Sequence, residues 1–220
     1  MIKLIVFDAE HVIYSADEQI KFFNSQLTSF LKKHNPEMLS TSQTIWKSIG
    51  ISVLTGKITM LEAHKRFLSE LNIPEDLIEE YERFDKESLK YVKLMEPEIR
   101  EQLLKLKSEG YLLTILSDTG HTSRTKKEIL ESLGLGEVFD KIFVSSEVKH
   151  MKPDKEAYLA VLNSMGISPN EAIFVGHDRE ELEGAEKVGI ISISYKGDRA
   201  DFQVDNFKQI VEFVDTCNKS

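Results

Sequence analysis

The sequence predicts an α/β fold, a Rossmann-like parallel sheet core with a helical cap domain. Short apolar runs recur at Leu4 to Phe7, Tyr111 to Leu116, Ile142 to Val144, Ala172 to Val175 and Ile190 to Ile193. Each is too short for a helix and several are rich in Ile and Val, as strands buried on both faces read. Helix-period segments alternate with the last four of them, the pattern of a doubly wound parallel sheet. The region from 16 to 95 breaks the alternation, showing helical periodicity and no convincing strand.

The elements follow in order. Leu4-Ile5-Val6-Phe7 ends abruptly at Asp8 and Glu10, and a buried strand that stops at carboxylates marks a sheet edge where ligands bind. Then come the expected cap helices: Ile20, Phe23, Leu27, Phe30 and Leu31 line one face, and Met60, Ala63, Phe67 and Leu71 line another. Pro36, Gly50, Gly56 and Pro74 punctuate them. Trp46, Phe22 and Phe23 are read as packing within the cap, with a substrate-pocket role as the alternative. Ile99, Leu103, Leu104 and Leu106 form a stripe ahead of Gly110, and Ile129, Leu130 and Leu133 do the same ahead of Gly134. Ala157, Tyr158, Val161 and Leu162 follow Pro153-Asp154, and Phe207, Ile210, Val211 and Val214 form the last helix. The expected division is a core from 1–15 and 96–220 with a cap at 16–95. An insert directly after the first strand emerges above the carboxyl ends of the strands and can cover the site.

Composition narrows the function. With 220 residues and 41% hydrophobic residues, the chain can build a real core. Its formal net charge is −9, from 37 acids against 28 bases. No excess positive field exists to attract nucleic acid or an anionic membrane, so neither is an expected partner. A small anionic substrate held by a few local donors remains compatible. Cys217 is the lone cysteine, so no disulfide framework forms within one chain. No stretch has the length of a membrane span and no signal peptide is seen, so a cytoplasmic location is expected. Nothing in the sequence sets an oligomeric state.

Chemistry-bearing residues sit at the ends of four successive apolar runs. Asp8 and Glu10 end the first, with His11 beside them; Ser117 and Asp118 end the second; Lys152 lies after the third; His177, Asp178 and Glu181 follow the fourth. In a parallel sheet all four ends share one edge, where these residues converge. They suggest phosphoryl transfer: a carboxylate nucleophile, a lysine and a hydroxyl to offset charge, a metal held by carboxylates, and a second acid near the leaving oxygen.

Specific motifs extend this reading: Phe139-Asp140-Lys141-Ile142-Phe143-Val144-Ser145-Ser146-Glu147, then Lys152-Pro153-Asp154, Ala172-Ile173-Phe174-Val175-Gly176, Gly184-Ala185 with Gly189, and Gly56-Lys57-Ile58-Thr59 ahead of Glu62. On these, nearly end to end, the chain resembles the haloacid dehalogenase-like (HAD) superfamily, of the kind with a helical cap inserted after the first motif. The resemblance implies a Rossmann-like core, an aspartate nucleophile and Mg²⁺ in its phosphatases. By position it makes Asp8 the nucleophile, Glu10 the acid/base and Lys152 the charge clamp. Ser117, Asp118 and His11 become substrate-binding candidates, and Asp8, Glu10 (through its carbonyl) and Asp178 the metal set. The implied function is hydrolysis of a small phosphorylated molecule through an aspartyl-phosphate.

The sequence departs from the family pattern in two places. Glu10 and His11 stand where the family usually has Asp and Gly, and His177 where it usually has a metal-binding Asp. Mg²⁺ prefers hard oxygen ligands. The alternatives these departures raise are a HAD-fold binding or regulatory module with a degenerate site and, ranked behind it, a metal-independent dehalogenase. His34, His64, His121 and His150 are expected to be surface or partly buried residues, and Lys149, where the family often has glycine, is expected to be solvated.

Overall fold

The computed structural model describes residues 1–197 and 201–218. The chain runs β1 (Leu4–Phe7), β2 (Tyr14–Ser15), α1 (Asp17–His34), α2 (Ser42–Leu54), α3 (Met60–Glu70), α4 (Ile78–Ser88) and β3 (Lys93–Leu94). It continues with α5 (Ile99–Ser108), β4 (Leu112–Ser117), α6 (Ser123–Ser132), β5 (Lys141–Val144), α7 (Ser145–Val148) and α8 (Lys155–Met165). The last elements are β6 (Ala172–Gly176), α9 (Arg179–Val188), β7 (Ile191–Tyr195), β8 (Phe202–Val204) and α10 (Phe207–Cys217).

Six strands form a parallel sheet in the order β5-β4-β1-β6-β7-β8. The apolar run of β1 makes it a central strand, with Phe7 opposite Ile115 on one side and Val175 on the other. Its side chains alternate between two layers. Ile5 and Phe7 pack with Ile99 and Leu103 of α5, Ile129 of α6 and Phe207 and Ile210 of α10. Leu4 and Val6 pack with Tyr158 and Val161 of α8 and Leu182 and Ala185 of α9. Helices therefore cover both faces, which is why these strands read as continuous apolar runs.

The winding places the site. From β1 the chain proceeds to β4 and β5, and from β6 it proceeds the opposite way to β7 and β8. The reversal falls between β1 and β6, the switch point where ligands settle in open α/β sheets. Asp8 follows β1 directly and His177 follows β6 directly.

Helices α1 to α4 form their own apolar cluster around Phe30, Leu31, Phe67, Leu71, Tyr81 and Phe84. Thr59 starts α3 with a reciprocal cap: its hydroxyl accepts from the Glu62 amide at 3.2 Å, and the Glu62 carboxylate accepts from the Thr59 amide at 2.7 Å. The motif Gly56-Lys57-Ile58-Thr59 ahead of Glu62 is thus a helix start. Trp46 meets Phe67 edge-on at 5.3 Å and Phe22 stacks on Tyr91 at 4.3 Å, so both are packing residues.

Several sequence expectations are corrected. The 16–95 stretch contains a strand, β3, which pairs antiparallel with β2. Ile20 and Leu104 are exposed although both fall on apolar stripes. His64 is buried against Tyr81 and Trp46, with Glu82 at 3.3 Å from its Nδ1. Lys149 keeps an exposed side chain but a fixed position. Its backbone is left-handed at φ 71°, which explains why glycine suits that position, and its amine donates to the Gly56 and Ser146 carbonyls at 2.8 Å each. No described helix is long and apolar enough to cross a membrane.

Candidate active site

Asp8 is only 5% exposed at the end of β1. Its Oδ1 accepts from the Ala9 amide at 2.8 Å and lies 2.8 Å from Lys152 Nζ. Its Oδ2 lies 3.3 Å from His177 Nδ1. Burial would push the carboxyl up, but the charge of Lys152 and the close approach of His177 and of the Lys152 amine hold it down to about 2. Asp8 is therefore an ionised carboxylate at neutral pH, with a nitrogen base facing each oxygen.

Lys152 is buried just beyond the α7 segment, and its amine bridges Asp8 and Glu181 Oε2, each at 2.8 Å. Burial opposes its charge, but the carboxylates of Asp8, Glu181 and Asp118 raise its pKa above the usual lysine value. Burial pushes Glu181 up to about 7 against the pull of Lys152, with the charge on Asp8 adding to the rise. The Asp8 carboxylate 3.3 Å from its Nδ1 raises the His177 pKa, against the opposing effect of burial.

The other strand ends also converge. Ser117 is buried at the end of β4. Asp118 Oδ1 accepts from the Lys152 amide at 3.3 Å, and burial raises its carboxyl pKa. The chain turns sharply after β1: the Ile13 and Tyr14 amides donate to the Ala9 carbonyl at 2.9 and 3.1 Å, and the His11 amide donates to the Tyr14 carbonyl at 2.8 Å. His11 takes φ 61°, a left-handed conformation that glycine adopts without strain. Glycine at this position in the family pattern thus has a backbone reason. The His11 ring sits 4.7 Å from the His177 ring, centroid to centroid, and its Nε2 is 3.8 Å from Glu10 Oε1. Glu10 and Asp118 line a cavity of about 180 Å³ beneath the helical segment, together with Tyr14, Gln19, His121 and Lys126.

The carboxylates of the metal set implied by the resemblance have other partners here. Asp8 Oδ2 faces an imidazole. Asp178 caps α9, its Oδ1 accepting from the Glu180 and Glu181 amides at 2.8 and 3.2 Å. The Glu10 side chain is half-exposed beside His11. Among the described residues no three His, Cys, Asp or Glu side chains form a metal-holding group. The donors around Asp8 are nitrogen bases, a poor match to the octahedral oxygen shell of Mg²⁺.

Three residues at this edge carry no role in the implied site set. His177 opposes Asp8 across the switch point. Glu181, one helical turn into α9, shares Lys152. Lys126 of α6, which sequence reasoning did not single out, is buried; it stands three and four residues before Ile129 and Leu130, on the same apolar face, which was the signal for it.

Comparison with known proteins agrees with this fold. The sequence pattern of the Haloacid dehalogenase-like hydrolase family matches residues 5–194. Over 117 residues the chain is 31% identical to (S)-2-haloacid dehalogenase 4A from Burkholderia cepacia, covering 52% of this chain and 50% of that protein. The chain thus spans about half the length of that relative. Over 199 residues it is 24% identical to phosphoglycolate phosphatase from Haemophilus influenzae, covering 88% and 86% of the two chains. In three dimensions it is similar to 2-haloacid dehalogenase from Pseudomonas syringae pv. Tomato DC3000, with a TM-score of 0.79, 19% identity, and 99% and 100% of the two chains covered.

Proposed function

The chain belongs to the haloacid dehalogenase-like hydrolases, and we propose that it uses Asp8 to hydrolyse a small phosphate monoester. One observation carries this reading: Asp8 is buried, ionised and flanked by Lys152 Nζ at 2.8 Å and His177 Nδ1 at 3.3 Å. Asp8 attacks phosphorus, the bond to the alcohol oxygen breaks, and the leaving oxygen takes a proton from Glu10. Glu10, now a carboxylate, removes a proton from water. The resulting hydroxide attacks the aspartyl-phosphate, freeing inorganic phosphate and regenerating Asp8. The Lys152 ammonium and the His177 and Ser117 hydrogen-bond donors offset the charge on the phosphoryl oxygens, so nitrogen groups supply what the resemblance assigns to Mg²⁺.

The test is phosphate release from a panel of small phosphomonoesters by wild type and Asp8→Asn. A loss of at least about a thousandfold in kcat is expected, since the covalent step disappears. Unchanged activity would sink the reading.

The position of His177 favours a second reading. A carboxylate that displaces halide from carbon attacks no phosphoryl dianion and requires no divalent ion. If the wild type releases chloride from 2-chloropropionate and no phosphate from the panel, Asp8 serves that displacement instead.

A further inference from the structure

Lys126 lies within the wall of the cavity next to Asp118 and Glu10. It is 5% exposed. Its amine makes one hydrogen bond, donated to the Tyr14 hydroxyl at 2.6 Å, and it lies 5.3 Å from the centre of the same ring. Among the described residues no carboxylate forms an ion pair with it. A buried ammonium held by one neutral hydroxyl is an unbalanced charge, which folded proteins seldom keep without a partner. Its neighbour His121 is held down to about 4, first by burial and then by the charge of Lys126, so that imidazole is neutral and cannot serve as the partner's rival for an anion.

The cavity limits what the partner is. At about 180 Å³ it has room for a small molecule and not for a macromolecular segment. Tyr14, which fixes the amine, belongs to the short strand at the foot of the helical segment, while Lys126 belongs to α6 of the core. The amine is therefore positioned by both parts of the fold, in a cavity that Glu10 and Asp118 also line. Ala16, Ile20 and Leu89 supply an apolar wall, which strengthens a charge-charge contact by excluding water.

We propose that Lys126 is a specificity-determining residue, binding a carboxylate carried on the substrate beside the phosphate that reacts near Glu10 and Asp118. This rests on the reading of Asp8 as the nucleophile. The substrate class is then a short phosphorylated carboxylic acid, whose second anion completes the Lys126–Tyr14 pair when it enters.

Steady-state kinetics with 2-phosphoglycolate and ethyl phosphate test this, since the two differ chiefly in the carboxylate. Wild type should favour 2-phosphoglycolate by tenfold or more in kcat/KM. Lys126→Met should raise KM for 2-phosphoglycolate at least tenfold while leaving ethyl phosphate within about twofold, a split that a loss of fold stability would not produce. Lys126→Arg, which keeps the charge, should recover part of the preference, and circular dichroism confirms that each variant is folded. Equal treatment of both probes by wild type, hydrolysis of neither, or an equal loss on both in Lys126→Met overturns the proposal. Asp8→Asn run alongside separates the two ideas. Retained hydrolysis there defeats the nucleophile; an inactive Asp8→Asn with an unselective Lys126→Met defeats only the role of Lys126.

Discussion

His177 Nδ1 stands 3.3 Å from Asp8 Oδ2, on the oxygen that Lys152 does not hold. The imidazole faces the Asp8 carboxylate where an oxygen ligand would be needed to recruit a hard divalent ion. Wild-type activity should therefore survive EDTA. His177→Asp should lose at least tenfold in kcat in metal-free buffer and regain it with millimolar Mg²⁺. Abolition of wild-type activity by EDTA would show that a metal does enter beside the imidazole.

Lys152 joins two buried carboxylates, so its removal leaves both uncompensated. Lys152→Met should destabilise the fold by about 3–5 kcal/mol in urea titrations. In Asp8→Asn the same change should cost at least about 1 kcal/mol less, because one stranded charge has gone. Strict additivity would mean that Lys152 and Asp8 are not energetically coupled.

Glu181 titrates near 7 when folded, against an ordinary value of 4.5. Between these values the folded state binds more protons than the unfolded one, so stability falls as pH rises from about 4.5 to about 7 and then levels off. Glu181→Gln removes that decline. The Tm of the variant should draw ahead of wild type across this window and stay ahead above it. Parallel curves from pH 4.5 to 8 would refute the assignment.

His11 is held at φ 61° by the turn after β1. His11→Gly should leave the Tm level or raise it, since relief of the left-handed strain offsets the added freedom of the unfolded chain. His11→Val puts a β-branched residue at positive φ and should lower stability by about 1–2 kcal/mol. Thermal denaturation of the two variants decides it.

Much of this was legible from strand ends. The run Leu4 to Phe7 stops at Asp8, and in a parallel sheet that alone puts Asp8 on the edge shared by Ser117 and His177. The short pieces were not legible: β3 has two residues and β8 three, too few to show a period. Nor was the direction of side chains. Asp178 reads as a ligand by its place in the motif, yet a carboxylate just before a helix is also a good cap, and its Oδ1 takes that role. His64 looks like any histidine until Tyr81 and Trp46, distant in sequence on one side or the other, close around it.

The β2–β3 pair has an evolutionary consequence. Tyr14 sits opposite Leu94 and Ser15 opposite Lys93, so the chain departs for the helical segment and returns at the same place. The closure cost of such an excursion grows only with the logarithm of its length. Residues between the two strands can be lengthened, shortened or exchanged while the bonded strands of the six-stranded sheet keep their register. The sheet and the helical segment can thus diverge at different rates, provided that points of contact such as the Lys149–Gly56 hydrogen bond are kept.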